Sequence, residues 1–286
     1  TSPVTLAAGS ETEFLFSVRL LTGVDETDQY QFRLIDAASG SVYNNFDTTL
    51  NQYAVNASVN LAFGFANGFD TGGVDGAFIT TAPGEADPDA WSQVLPLAGS
   101  AVYDDAIVAE GTMAALFDRT DGDPASYLRT NDFNQAQHLY GRMYFRYTGV
   151  PVPAGSRIVD VVGGYDNGDT NSHSITIQAN GRILMKAGGD LTFTGEENLV
   201  LNPALSVDTW YRIEWHATTE TVLGAADGTF EVRVYDGMTL FASGFISNAH
   251  TKTEFEDADF GPRTQTITAW IDETALANDG WIGAAP

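Results

Sequence analysis

Three runs of alternating side chains gather groups able to bind a sugar or move a proton. The first carries Arg142, Tyr144 and Arg146, the second Arg212, Glu214 and His216, and the third Arg233 and Tyr235. Tyrosine rings can stack on the apolar face of a sugar, while guanidinium forks and a carboxylate can hydrogen-bond its hydroxyls. Acid–base chemistry would require His216 or Tyr144 to sit beside the proton that moves. The same residue types also build cross-strand ion-pair lattices on a solvated sheet face. The spacing leaves site and lattice both open.

A second kind of chemistry is offered by two oxygen-rich turns. Asp118, Asp121 and Asp123 fall in Asp-Arg-Thr-Asp-Gly-Asp-Pro, and Asp166, Asn167, Asp169 and Asn171 in Asp-Asn-Gly-Asp-Thr-Asn. Such turns suit a hard cation such as calcium, although neither follows the helix–loop–helix pattern with its closing glutamate. Turns also use Asp, Asn and Gly for conformational reasons alone. Other site chemistries find no support. The four histidines, His138, His173, His216 and His250, show no His-x-x-x-His pair, no phosphate-binding Gly-Lys-Ser/Thr loop occurs, and cysteine is absent.

The elements that must carry the first set are strands. From Trp210 to Tyr235 each half alternates with period two, so Tyr211, Ile213, Trp215, Phe230, Val232 and Val234 are predicted to face a core. The intervening Arg212, Glu214, His216, Glu231, Arg233 and Tyr235 then share the opposite face. If the halves pair antiparallel, opposite charges lie across from one another. Further strands are predicted at 91–97, 112–117, 126–130, 139–147, 157–163, 172–179, 182–187, 240–245 and 265–272. Asn180-Gly181 between two alternating runs predicts a tight hairpin whose central residues take positive φ. No long amphipathic helix is evident, and many short strands joined by such turns predict an all-β, antiparallel two-sheet jelly-roll sandwich.

Before this, residues 11–63 hold strand patterns at 13–21, 30–35 and 52–63. A free immunoglobulin-type sandwich takes about seven strands, so 1–64 is expected to be a smaller, partial β module that needs a partner surface to cover its edges. The glycine-interrupted run Phe63 to Phe69 marks the junction, with the jelly roll over 65–286. The chain opens at Thr1 without a methionine or a signal-like segment, which suggests a processed or partial product.

Composition narrows the partners. The 286 residues are 43% hydrophobic, enough for real cores, but 38 acidic against 13 basic side chains give a formal net charge of −25. A surface so acidic repels nucleic acid and anionic membranes, and suits a salty or cation-rich medium. No apolar run approaches the roughly 18 to 20 residues of a membrane span.

Several stretches together resemble the concanavalin A-like, laminin G-like jelly-roll modules of tailed-phage structural proteins and secreted bacterial proteins. They are Gly68-Phe-Asp-Thr-Gly-Gly-Val-Asp-Gly76, Leu139-Tyr-Gly-Arg-Met-Tyr-Phe145, Trp210-Tyr-Arg-Ile-Glu-Trp-His216, Trp270-Ile-Asp272 and Asp279-Gly-Trp-Ile-Gly283. The resemblance covers about residues 65–286 and implies the sandwich fold, with calcium at a rim loop as such modules often carry it. Residues before the junction look like the tail of an immunoglobulin-like module of the sort that precedes these domains. Glu254, Glu256 and Asp259 are spaced like the strand-borne acid triplet of jelly-roll glucanases, with two residue types interchanged. Without apolar alternation, and running into Gly261-Pro262, that stretch is expected to be a solvated acidic loop.

The function expected is therefore that of a non-enzymatic extracellular or virion structural or decoration protein. Its jelly roll would bind carbohydrate through Arg142, Tyr144, Arg146, Arg212, Glu214, His216, Arg233 and Tyr235. Its partners would be other copies or neighbouring subunits of the assembly, and glycans. The alternative is a polysaccharide-active glycoside hydrolase or lyase that uses the same face as a concave cleft, and a purely architectural unit is the third.

Overall fold

A computed structural model describes residues 64–285, apart from 72, 86–88, 96–100, 120–125, 131–135, 153–154, 164–169, 189–196, 223, 252–253 and 263–265. The chain divides into two units, Thr1–Ala62 and Phe63–Pro286. The described residues belong to the second unit, and the expectations for the partial N-terminal module lie outside them.

The second unit is built of strands. In chain order they are β1 (Gly64–Asn67), β2 (Gln93–Leu95), β3 (Val102–Asp104), β4 (Ala114–Arg119) and β5 (Tyr127–Arg129). Then come β6 (His138–Val152), β7 (Ser156–Gly163), β8 (Thr170–Ile177), β9 (Ile183–Ala187) and β10 (Glu197–Val200). The series ends with β11 (Tyr211–Thr218), β12 (Gly228–Asp236), β13 (Thr239–Ala249), β14 (Phe255–Phe260) and β15 (Thr266–Ala277). One short 3-10 turn, Pro83–Glu85, is the only helix among the described residues, and none is long and apolar enough to cross a membrane.

Among the described residues all strand pairing is antiparallel, in two sheets. The first runs β13-β12-β11-β6-β15-β4-β3, with β1 also on β15; the second runs β10-β9-β8-β7-β14-β5-β2. The two sheets pack face to face as a jelly-roll sandwich around one core, which is the predicted class. The central pair has the expected register faces, with Glu214 opposite Arg233 and Trp215 opposite Val232. Tyr211, Ile213, Trp215, Phe230, Val232 and Val234 are all buried.

The Asn180-Gly181 hairpin joins β8 to β9, but only Gly181 has positive φ, at 77°. Asn180 instead accepts the Arg182 N–H on its side-chain oxygen at 3.0 Å, which stabilises the turn without an αL residue there. A clear correction concerns 254–259. Those residues are not a solvated loop: Phe255–Phe260 form β14 between β7 and β5, with Phe255, Ala258, Asp259 and Phe260 buried. The strand tolerates its acids because Arg129 of β5 reaches across, Nε at 2.7 Å from Asp259 Oδ1 and Nη2 at 3.0 Å from Oδ2. The resulting bidentate pair satisfies a carboxylate that faces no water. Asp259 is thus structural, which removes the glucanase-like triplet from consideration.

Between the sheets lies one polar anomaly. His173 of β8 is 1% exposed and wedged edge-on against Phe230 and Phe255, ring centroids 4.9 and 5.4 Å away. Neither ring nitrogen makes an aligned hydrogen bond, its approach to the Thr229 backbone being a glancing one. Burial pushes its pKa from 6.5 down to about 3. An imidazole less basic in the folded than in the unfolded chain contributes stability that is complete above pH 6.5 and is lost as pH falls toward 3. Asp272 of β15, pushed up to about 7 by burial despite three backbone N–H donors, acts with the opposite sign over the range from 3.8 to 7. Melting temperature followed from neutral to acidic pH should therefore fall less for His173→Leu than for the parent chain. Identical slopes would show that His173 takes up a proton in the folded chain as readily as in the unfolded one.

Candidate functional site

The outer face of the first sheet collects the residues singled out by alternation, because β6, β11 and β12 are neighbours in register. Arg212 lies between Tyr144 and Tyr235, Glu214 between Arg142 and Arg233, and His216 between Tyr140 and Glu231. Arg146 stands further along β6 opposite Trp270 of β15. All eight predicted binding residues thus share one face.

They are not equally available. Arg142, Arg212 and Glu214 are 5%, 6% and 2% exposed, so the middle of the face is dry rather than wetted as expected. Each guanidinium on it already has a carboxylate. Arg142 Nη2 lies 3.2 Å from Glu273 Oε2, and Arg146 Nη2 lies 3.1 Å from Asp208 Oδ1. Arg233 donates to Glu231 at 2.7 Å. Arg212 Nε lies 2.8 Å from Glu214 Oε1 with neither atom in an aligned hydrogen bond, so that contact is one of charge. The Arg212 guanidinium also covers the Tyr235 ring at 4.2 Å, and that of Arg146 covers Trp270 at 4.9 Å. Removal of Arg142 from water lowers its pKa more than Glu273 and the other acids raise it. Ion pairs thus fill the centre of the face, but it is dry, and the Arg212–Glu214 and Arg233–Glu231 pairs run along single strands rather than across them.

Part of the burial comes from a segment to which alternation gave no clue. After β15 the chain turns back and residues 278–285 run over the face. Trp281 lies under the Arg233 guanidinium, 3.7 Å from its carbon, and edge-on to Tyr140 and His216 at 5.7 and 6.2 Å. Arg142 donates to the Gly283 carbonyl at 3.3 Å, and the Ala285 N–H donates to the Tyr144 hydroxyl at 3.3 Å.

Beyond Trp281 the face carries a ladder of rings. Tyr140 stacks on His216 with centroids 3.9 Å apart and planes 1° from parallel, and His138 Nδ1 sits 3.3 Å from His216 Nε2. Burial, then the neighbouring His138, lowers the His216 pKa to about 4, so the imidazole is neutral near pH 7. Burial, then Glu231, raises that of Tyr140. At the His138 end a cleft of about 190 Å³ opens, lined by Gln137, His138, residues 218–221, Asp227 and Thr229. Its Glu220 carboxylate is consumed inside the protein, accepting from Thr251 N–H at 3.1 Å and contacting His250 Nδ1 at 3.0 Å. Tyr140 and His138 were not singled out, although they continue the alternation of Arg142 and Tyr144 along β6. Trp281 had no such signal, because it lies beyond the last alternating run.

The cation expectation falls mostly elsewhere. Asp121, Asp123, Asp166 and Asp169 lie outside the described residues. Asp118 is on β4, where its carboxylate accepts the Thr268 hydroxyl at 2.8 Å. The described residues bring together a different acidic group, Asp75, Asp104 and Asp105. There Asp104 already accepts from Trp270 Nε1 at 2.6 Å and from Ala106 N–H at 2.8 Å.

Fold and face together define an antiparallel jelly-roll sandwich that presents a ring ladder and an ion-pair lattice on one outer sheet face. Comparison with family models gives no match. Comparison with curated proteins gives none either. Solved structures are similar. The endo-β-1,4-glucuronan lyase of the fungus Trichoderma reesei is 17% identical, with a TM-score of 0.52 over 75% of this chain and 94% of that one. The marine PL-14 alginate lyase of Aplysia kurodai is 8% identical, with a TM-score of 0.54 over 75% of this chain and 97% of that one. At these identities the likeness is one of fold.

Proposed function

We propose that the jelly roll is a non-enzymatic carbohydrate-binding module, displayed in many copies on an extracellular or virion surface. The observation that carries this reading is the Tyr140–His216 stack, held on two paired strands beside His138. Rigid rings with polar edges suit the apolar face and the hydroxyls of a sugar, and strands hold them more firmly than loops would. The surrounding net charge of −25 favours a neutral glycan over an anionic one. Weak single sites would gain strength by repetition on one particle. A glycan array probed with a multimerised protein tests the reading, with Tyr140→Ala and His216→Ala expected to abolish the signal. Signal that survives both substitutions moves the site off the ladder, and an array blank for every form leaves the architectural role.

A second reading, a lyase acting on an acidic polysaccharide, is favoured by one feature, the neutral His216 stacked on the Tyr140 ring. In such an elimination a base removes the proton alpha to the uronate carboxylate. The bond to the leaving oxygen breaks as the double bond forms, and an acid protonates that oxygen. The glucuronan and alginate lyases with this fold act on such polymers. The reading stands second because Arg142, Arg146, Arg212 and Arg233 each already have a carboxylate partner, so none is left to neutralise a uronate. Appearance of the unsaturated uronate chromophore on incubation with glucuronan or alginate would reverse the order.

A further inference from the structure

We infer that residues 278–285 are a displaceable strap occupying the saccharide face, and that a glycan binds by competing with them; the inference rests on the carbohydrate-binding reading. The strap's contacts have the chemistry expected of a sugar on this face. Trp281 lays a flat apolar surface against the Arg233 guanidinium at 3.7 Å and meets the Tyr140 and His216 rings with its edge. The Gly283 carbonyl offers Arg142 an acceptor at 3.3 Å, where a ring hydroxyl could do the same. The Ala285 N–H offers the Tyr144 hydroxyl a donor, also at 3.3 Å.

The strap is attached in a way that permits release. It adds no strand to the sheet, its residues from Asn278 to Ala285 stay at least partly exposed, and Asp279 faces open solvent. The two hydrogen bonds are long, and the backbone of Gly283 takes φ 78°, a conformation that suits glycine. Beneath it the face is prepared for the dry state by its own pairs, Arg142 with Glu273, Arg212 with Glu214 and Arg233 with Glu231. Lifting the strap therefore leaves no charge without a partner. It would expose a surface of rings and paired guanidinium groups, and occupancy would be set by the difference between strap and ligand affinities.

Two substitutions in the full chain separate the strap from the face. Trp281→Ala removes the main contact, and Gly283→Ala strains the strap backbone while leaving the face side chains intact. The probe is the neutral glycan that gives the strongest signal on the array, with binding measured by calorimetry and amide hydrogen exchange followed across 278–285. Both variants should bind about tenfold more tightly, the gain expected when a competing contact is weakened, and the glycan should raise exchange at Ala285 in the parent chain. If the parent binds and both variants bind equally well or less well, the strap is a fixed part of the site and the inference fails while the binding reading stands. If neither parent nor variants bind any glycan, both fail together. Binding only by the variants supports both.

Discussion

Replacement of Trp215 by alanine is expected to cost about 3–5 kcal/mol, the range for a large buried aromatic cut back to a methyl group. The side chain is wholly buried in β11, opposite Gly141 on β6 and Val232 on β12, and tilts against Phe260 of the second sheet at 5.7 Å. Gly141 is shaped to it, since a Cβ there would lie 2.0 Å from an indole carbon. Neighbours set that closely cannot collapse into the void, so the cavity term adds to the lost transfer energy. The indole N–H has no hydrogen-bond partner, so truncation forfeits packing and no polar bond. Trp215→Phe should consequently cost much less. Denaturant unfolding measures both, and a loss below about 1 kcal/mol for the alanine variant would mean that the two sheets are not closed around this residue.

Arg129→Met should be of comparable size for a different reason. It leaves the Asp259 carboxylate, whose side chain is 0% exposed, without its bidentate partner in the middle of the second sheet. Breaking a buried pair from one side costs roughly 3–5 kcal/mol, chiefly through the stranded charge. The hydrogen bonds to Asp259, more than any other contact, hold the guanidinium protonated and raise its pKa. Asp257, 3.4 Å from Arg129 Nε, would lose a partner too. The double variant Arg129→Met/Asp259→Leu should recover much of the loss, since apolar residues of similar volume can replace a buried pair. A double variant no more stable than the single one would show that the penalty comes from packing and not from charge.

These two sites also mark how far the sequence could be read. Trp215 was legible because period-two alternation in 211–215 and 230–234 is a local signal, and pairing strands with such patterns fixes which face is buried. β14 was misread because the partner that makes its acids tolerable lies 130 residues away in Arg129, and a charge run shows no periodicity to announce a strand. The outer face was found for the first reason and misjudged for the second. Arg142, Tyr144, Arg146, Arg212, Glu214, His216, Arg233 and Tyr235 do share it, yet whether Arg142 meets water depends on Glu273 and on a strap 141 residues away. Spacing can place a side chain on a face; it cannot say what lies across that face.

The order of strands in the first sheet bears on how the protein comes to be folded at all. β15, the latest of the described strands to be synthesised, sits between β6 and β4 and also receives β1, so Gly64 pairs with Ala277. Until residue 277 has left the ribosome, β4 and β6 have nothing to close the gap between them, and β1 has no strand to join. β14 likewise fills the slot between β7 and β5. Local hairpins such as β8–β9 and β11–β12 can form early, but the second sheet cannot be completed before β14 emerges, nor the first before β15. Pairings this distant are slow because loop-closure entropy precedes any contact that compensates it. Nascent chains would therefore carry open strand edges until those strands emerge, the state most exposed to aggregation. A net charge of −25, through which such chains repel one another, then protects the unfinished molecule as much as the finished one.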